Sequence, residues 1–270
     1  MRRLLIVIIL LAWTAPPMIG AQRTNHRFEP GEGLANLRND RAAGASYQRD
    51  SQVSVEAILD RYVAALGGME AINSLTSVEE TSSFEAPEAG LKGSTEAYSK
   101  LPNKVFQKVR IEGVGVFLRV SDGKKEWSGD PVSGVVDITG LQIRRPLSLS
   151  DLRRDIKHRE IFKALTVIGK EKVGNNDAYV IKAVPSVGLP ETFYFDTTTG
   201  LLVRKDIVAI SLMGETPTQT FFEDYREVGG VRIPFTVRQV TPALTCVTTL
   251  RDIKVNVAID DARFAKPSLN

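Results

Sequence analysis

The side chains that could carry catalysis are few in this sequence, and their spacing suits no common catalytic or metal site. The chain contains two histidines, His26 and His158, and one cysteine, Cys246. Neither histidine has a second ligand at the spacing that zinc sites use, and there is no cysteine-pair or His-x-x-x-His motif. No Gly-x-Ser-x-Gly elbow or phosphate-binding loop is present either. We therefore expect a protein that is not an enzyme and needs no cofactor or metal ion.

Adjacent acidic residues are the remaining candidates for acid–base chemistry. They occur as Glu79-Glu80, Glu223-Asp224 and Asp260-Asp261. Neighbouring residues of a β-strand point to opposite faces of the sheet, so the two carboxylates of such a pair would not share one site. The pairs therefore do not change the expectation of a non-enzymatic protein.

The first 21 residues have the pattern of a secretory signal peptide. Two arginines precede the apolar run Leu4–Trp13, which two prolines and then small residues follow up to Ala21. We predict cleavage after Ala21 and export to the periplasm. The alternative is an uncleaved membrane anchor, but Leu4–Ala21 has only 18 residues and two prolines, whereas a span needs about 20 apolar residues. The mature protein is therefore expected to have no stable membrane span.

Composition predicts one globular domain that does not bind nucleic acid. Residues 22–53 are polar and have no apolar period, which predicts a disordered spacer before a single domain at 54–270. The chain is 43% hydrophobic and 25% charged, as ordinary globular proteins are. Loss of the signal peptide leaves 33 of the 35 basic residues against 32 acidic ones. Such a nearly neutral protein has no electrostatic basis for binding nucleic acid.

The strongest helical signal begins at Ser54, a residue type that caps helices. Apolar residues then follow the spacing of one helix face, at Val55, Ile58, Leu59, Tyr62, Val63 and Leu66. Gly67-Gly68 ends the pattern in the manner of a helix C-terminus. A short second helical turn follows, with Met69, Ile72 and Leu75 on one side.

From Ser77 onward the apolar period changes to two, which is typical of β-strands. The alternation is clear in Val231, Ile233, Phe235 and Val237. Turn signals between strands include Ser121–Lys124, Gly174–Asn176, Asp196–Gly200 and Gly229-Gly230. We expect about ten or eleven antiparallel strands with one apolar and one polar face. So many twisted strands curl towards a barrel, which makes the apolar face concave.

A second helical segment is predicted between residues 144 and 165, with a less regular apolar stripe. The two helical segments are the natural cover for the open concave side of the sheet. The sequence therefore predicts a mainly β protein, in which a curled antiparallel sheet forms an unclosed β-barrel and the first helix closes its mouth.

Several of these segments resemble bacterial outer-membrane lipoprotein-sorting-like proteins, the group typified by LolA and LolB. The resemblance covers about residues 54–268, and its most specific elements are FDTTTGLLVR, DYREVGGVRIPF and the terminal DDARF. It implies an unclosed β-barrel with helices in its mouth and a hydrophobic cavity that holds acyl chains. The implied function is non-covalent binding of a lipid or a lipid-modified protein in the periplasm. No ligand-contact motif of the group maps residue by residue onto this chain.

The cavity that the resemblance implies would be lined by apolar side chains of the first helix and of several strands. The candidates are Ile58, Tyr62, Leu66, Val109, Ile111, Val116, Leu118, Phe193, Phe195, Ile233, Phe235 and Val237. Burial of an acyl chain of about sixteen carbons would gain roughly 11 kcal/mol before the cost of association. The alternative is that the same side chains fill a core without a void.

A basic cluster at the start of the second helical segment is a candidate rim for anionic lipid head groups or for an acidic partner. It consists of Arg144, Arg145, Arg153 and Arg154. The alternative is a solvated helix face that nearby acidic residues already balance. A protein with a filled core would instead be an interaction module that docks on another envelope protein, or a scaffold subunit of an envelope peptidase system.

Overall fold

The computed structural model describes residues 53–139, 156–186, 188–211 and 214–268. The predicted signal peptide lies outside these ranges, and so does the predicted spacer apart from Val53. The four arginines of the basic cluster also lie outside them. The helices of the described part are α1 (Val55–Ala65), α2 (Gly68–Ser74) and the short α3 (His158–Ile161). Two 3₁₀ turns, Pro87–Ala89 and Asp261–Phe264, complete the helical structure of this part.

All strands of the described part form one antiparallel sheet of 13 strands, in the order β6-β5-β4-β3-β2-β1-β13-β12-β11-β10-β9-β8-β7. The strands are β1 Ser77–Ala86, β2 Leu91–Lys100, β3 Lys104–Ile111, β4 Gly115–Asp122, β5 Glu126–Asp130, β6 Gly134–Ile138, β7 Phe162–Val173, β8 Asn176–Pro185, β9 Glu191–Asp196, β10 Leu202–Ser211, β11 Gly214–Val228, β12 Val231–Val240 and β13 Thr245–Val255. The edge strands β6 and β7 do not pair with each other, so the sheet is not closed into a barrel. The predicted fold class is confirmed, with more strands than expected.

Helix α1 begins and ends where the sequence pattern predicts. The Ser54 hydroxyl oxygen accepts a hydrogen bond from the Ala57 N–H at 3.1 Å and so satisfies one free donor of the first turn. Ile58, Leu59 and Tyr62 form its buried face. They pack with α2 against strands β7–β10 and β12 in the larger apolar cluster of the described residues.

A second apolar cluster lies farther along the same face of the sheet. Its largest side chains are Phe84, Ile111, Phe117 and Leu244, and Cys246 is buried among them. Burial raises the pKa of the Cys246 thiol to about 11. The thiol therefore stays protonated and serves as a small apolar side chain.

The predicted second helical segment is wrong at its C-terminal end. Phe162 begins β7, and Leu165 pairs with Ala183 of β8. Phe162 and Leu165 belong to the apolar stripe that predicted the helix. In the structure their strand pairs with β8, and this pairing supplies the backbone hydrogen bonds that a helix would otherwise provide. Helical propensity is a weak preference that such tertiary pairing overrides.

The expectation of one wholly polar face is also wrong at strands β3–β5. The 3₁₀ turn Asp261–Phe264 packs on β3 and β4, and its Phe264 is 1% exposed. On the same face Val120 and Trp127, which pair across β4 and β5, are 0% and 5% exposed. Strands β4 and β5 therefore have buried residues on both faces.

The β9–β10 hairpin is held by Asp196, a residue that is 1% exposed. It accepts hydrogen bonds from the backbone N–H groups of Thr198 and Thr199 at 2.9 and 2.6 Å, and from the Thr199 hydroxyl at 3.0 Å. Burial alone would raise the pKa of Asp196, but the hydrogen bonds from Thr199 and Thr198 lower it. The ionised carboxylate therefore stabilises the turn.

Replacement of Asp196 with alanine should lower the free energy of unfolding by about 2–3 kcal/mol, because two backbone N–H donors of the turn lose a charged acceptor. The carboxylate stabilises the wild type above its unfolded pKa of about 3.9, and this contribution is lost as pH falls through the lower folded pKa. Urea denaturation at pH 7 and pH 3 measures both effects. The exposed Thr198→Ala serves as control, and an Asp196→Ala loss that is equally large at both pH values would contradict the argument.

Candidate ligand-binding cavity

A cavity of about 270 Å³ lies between the N-terminal helices and the middle of the sheet. Most of its lining is apolar, and it consists of Tyr62, Leu66, Ile72, Leu75, Val78, Glu80, Ala97, Ser99, Ile156, Leu202, Phe222, Tyr225, Val231, Arg232, Ile233, Pro234 and Ile253. Ligand pockets typically measure about 300–1,000 Å³, and a dry cavity of about 150 Å³ already binds benzene. The space is therefore large enough for part of an aliphatic chain.

The roof of the cavity is the C-terminal end of α1, which is fixed directly to the sheet. The Arg232 N–H of β12 donates a hydrogen bond to the Leu66 carbonyl oxygen at 2.8 Å. The next residue, Gly67, lies against the carbonyl group of Gly230 in the β11–β12 turn. The sequence folds this way because the two glycine pairs of the chain, one after the helix and one in the hairpin, allow a close backbone approach.

Two further contacts hold α1 over the sheet. The Arg61 guanidinium donates to the Thr198 carbonyl oxygen at 2.7 Å, and the Arg159 guanidinium lies 3.1 Å from the Asp60 carboxylate. Both pairs are exposed, and exposed pairs of this kind contribute about 0–1 kcal/mol. They orient the helix, whereas its buried apolar face supplies most of its attachment.

The floor of the cavity carries a fixed aromatic side chain from β11. The Tyr225 hydroxyl donates to the Leu202 carbonyl oxygen at 2.8 Å, so the ring is held at the cavity wall. Tyr62 of α1 packs against Phe195 with ring centroids 5.2 Å apart. These contacts give the apolar wall a defined shape.

Glu80 is the polar exception in this wall. In the sheet it pairs with Ala97 of β2 and Ile253 of β13, and both of these residues also line the cavity. Burial raises the pKa of the Glu80 carboxyl. Glu79, the next residue, lies 3.5 Å from the Lys254 ammonium instead. The structure thus separates the pair Glu79-Glu80 across the two faces of β1, as the strand geometry predicted.

The structure brings only some of the predicted lining residues together. Tyr62, Leu66 and Ile233 line the cavity. Six others are not in its lining: Ile58, Phe193 and Phe195 belong to the apolar cluster under α1, Val109 and Ile111 belong to the second cluster, and Val237 is buried elsewhere. Phe235 is partly exposed, and the Arg226 guanidinium lies 4.5 Å from its ring centroid.

For Val116 and Leu118 the strand register corrects the prediction. Val109 pairs with Phe117, so Val116 and Leu118 point to the opposite face of β4. That face carries Val120 and the C-terminal 3₁₀ turn. The sequence could not show this, because Val116, Leu118 and Val120 alternate with Phe117, Arg119 and Ser121. The more apolar face of β4 therefore suggested the inward side, and no local signal records that the C-terminal turn covers it.

The sequence prediction did not include the other fourteen of the seventeen lining residues, Glu80, Ala97 and Ser99 among them. The alternating residues Val78, Glu80, Ser82 and Phe84 would have placed Glu80 on an inward face, but its charge indicated an outward one. His158 was also unexpected, because it is buried and lies edge-on to Phe193 with ring centroids 4.7 Å apart. Across the described ranges, no group of three His, Cys, Asp or Glu side chains is placed to hold a metal ion.

Comparison with known proteins identifies the fold. No protein-family model and no curated protein matches the chain. Among solved structures, the chain is similar to an outer-membrane lipoprotein-sorting protein domain from Vibrio parahaemolyticus, with 11% identity and a TM-score of 0.53 over 77% of this chain and 96% of that one. A LolA superfamily protein from Nitrosomonas europaea matches with 14% identity and a TM-score of 0.52, over 79% and 98% of the two chains.

A DUF1329 family protein from Desulfovibrio piger is similar to the same degree, with 16% identity and a TM-score of 0.50 over 78% of this chain and 96% of that one. At these identities the similarity concerns the fold. It confirms the LolA-like fold that the hairpin segments and the terminal DDARF indicated. Within the described part, the helices are too short or too polar for any of them to cross a membrane.

Proposed function

We propose that the protein binds acyl chains of lipids or of lipid-modified proteins in the cavity under α1, and carries them in the periplasm. The observation that supports this most directly is the 270 Å³ cavity with a mainly apolar wall. The periplasmic location rests on the signal-peptide pattern of the first 21 residues. Binding of this kind needs no catalytic residue and no cofactor.

The energetics of the cavity favour an aliphatic ligand. Each methylene group that leaves water for an apolar wall gains about 0.8 kcal/mol, and such a wall offers water few hydrogen-bonding partners. The void favours this proposal over the alternative of a pure interaction module, which would have a filled core. An envelope protein partner remains part of the proposal, as the donor or acceptor of a lipid-modified ligand.

Replacement of Ala97 with phenylalanine should block the cavity. Ala97 lines the void and is buried, so the larger ring should occupy the space that a ligand needs. We expect the affinity for N-phenyl-1-naphthylamine, an apolar fluorophore, to fall by about tenfold or more. Palmitate should displace the fluorophore from the wild type, and organic extraction followed by mass spectrometry should detect lipid in the purified wild type only.

The matched control is Ala64→Phe, which adds the same ring on the exposed side of α1. It should leave fluorophore binding unchanged. Circular dichroism establishes that both variants are folded. A wild type that takes up neither fluorophore nor lipid, or a folded Ala97→Phe variant that binds both normally, would contradict the proposal.

A further inference from the structure

The cavity contains one feature that acyl-chain binding alone does not require. Glu80 is the acidic side chain among the described lining residues, and its neighbours across the sheet, Ala97 and Ile253, are small or apolar. A leucine or valine at this position would make a better wall for a hydrocarbon. A carboxyl group on this wall therefore weakens apolar binding unless the ligand uses it.

No charge of the described residues neutralises Glu80. Arg232 of β12 also borders the cavity, but its side chain is exposed and no ion pair joins it to Glu80. Behind β1, on the other face of the sheet, Lys254 lies 3.5 Å from both Glu79 and Asp252. The helices contribute the neutral side chains Tyr62, Leu66, Ile72 and Leu75 to the lining, and β2 contributes Ala97 and Ser99.

These surroundings determine which form of the carboxyl group the cavity favours. A carboxylate that leaves water without a cation or a hydrogen-bond donor is costly, so the neutral acid is favoured. Burial accordingly raises the pKa of Glu80. A neutral carboxyl group carries one O–H donor, and a buried donor needs an acceptor. Ketosteroid isomerase keeps an aspartic acid neutral in an apolar site for the same purpose.

We propose that Glu80 is a polar subsite of the cavity, where its O–H donates a hydrogen bond to the carbonyl oxygen of an ester or amide group next to the acyl chain. The inference rests on the proposed function and deepens it. It assigns the ligand class as uncharged acyl esters or amides, in preference to bare hydrocarbons and to cationic amphiphiles. Wall contacts supply the affinity, and the Glu80 hydrogen bond supplies the chemical selection.

The test compares three ligands with the same chain length: methyl dodecanoate, dodecane and dodecylamine. Each displaces N-phenyl-1-naphthylamine from the wild type, Glu80→Gln and Glu80→Leu, between pH 5 and pH 9. Glutamine keeps a hydrogen-bond donor without a titratable group, whereas leucine removes the donor. Glu79→Gln is the matched control, because it removes a carboxylate one residue away on the opposite face.

We expect the wild type and Glu80→Gln to prefer the ester to dodecane, and Glu80→Leu to lose about tenfold of that preference. The wild-type affinity for the ester should fall as pH rises through the pKa of Glu80, because ionisation removes the donor. The affinity of Glu80→Gln should not depend on pH, and Glu79→Gln should behave like the wild type. Both Glu80 variants should melt at a higher temperature than the wild type at pH 7, because the cost of holding a carboxyl group against the apolar wall is removed.

Three outcomes separate the inference from the proposed function. The wild type could take up the fluorophore but bind methyl dodecanoate and dodecane equally well. This result would overturn the inference and leave the proposed function intact. Tighter binding of dodecylamine than of the ester, lost in Glu80→Gln, would also overturn it, because Glu80 would then be a carboxylate that binds a cation. A wild type that takes up neither the fluorophore nor any of the three ligands would overturn the proposed function itself.

Discussion

Replacement of Gly67 with alanine is expected to lower the free energy of unfolding by about 4 kcal/mol or more, through strain and overpacking at a single position. The backbone of Gly67 has φ +118°, which alanine rarely adopts, and a Cβ atom built there lies 2.0 Å from the Gly230 carbonyl oxygen. The obstacle is backbone rather than a flexible side chain, so α1 and the β11–β12 turn must move apart. Leu66, which lines the cavity, would move with them.

Gly68 offers an unusually close control for this prediction. Its φ is +87°, but a Cβ atom built there meets nothing within 4 Å. Gly68→Ala should therefore show the backbone strain alone, about 1–2 kcal/mol. Urea denaturation measures the difference, and titration with N-phenyl-1-naphthylamine shows whether the cavity changes with the helix position. Equal losses for the two variants would show that the contact with Gly230 is unimportant.

Phe264→Ala should cost about 3–5 kcal/mol, the usual range for a buried phenylalanine. Phe264 is 1% exposed. Two nearby residues of the same turn, Asp261 and Arg263, also contact the sheet. Asp261 lies 2.8 Å from both Lys100 and Lys104, and the Arg263 guanidinium lies 3.9 Å from the Tyr98 ring centroid. These exposed pairs contribute little by themselves, so the buried ring dominates the attachment.

Phe264→Ala should lower the stability of the fold without changing the affinity of the cavity for the fluorophore. Because Phe264 covers the face of the sheet opposite the cavity, folded Phe264→Ala should bind the fluorophore as the wild type does. Phe264→Leu, which keeps most of the apolar volume, should recover most of the lost stability. Two results would contradict the placement of Phe264 as a buried side chain on the face opposite the cavity. One is a loss of less than about 1 kcal/mol in the free energy of unfolding of Phe264→Ala. The other is a folded variant whose cavity no longer binds the fluorophore.

Local signals in the sequence were sufficient to predict most of the secondary structure. Ser54 and Gly67-Gly68 mark the ends of α1, because a hydroxyl cap and a left-handed glycine act within one turn of the chain. Asp196–Gly200 and Gly229-Gly230 mark hairpins for the same reason. Alternating side chains on β12 indicated an antiparallel sheet. Within the described ranges, tertiary pairing overrode the local helical pattern where Phe162–Leu165 joined β8.

The sequence determined that this chain forms an open antiparallel sheet with an amphipathic helix over one face, because caps, turns and apolar periods are properties of neighbouring residues. Tertiary structure alone decided that Val116 and Leu118 lie on the face of the sheet opposite the cavity, since the register of β4 is set by its pairing with β3. It also decided that DDARF covers the far face, and that Glu80 enters an apolar wall. These last features depend on strands that pair across more than 150 residues, as Glu80 does with Ile253, and no local pattern records such distances.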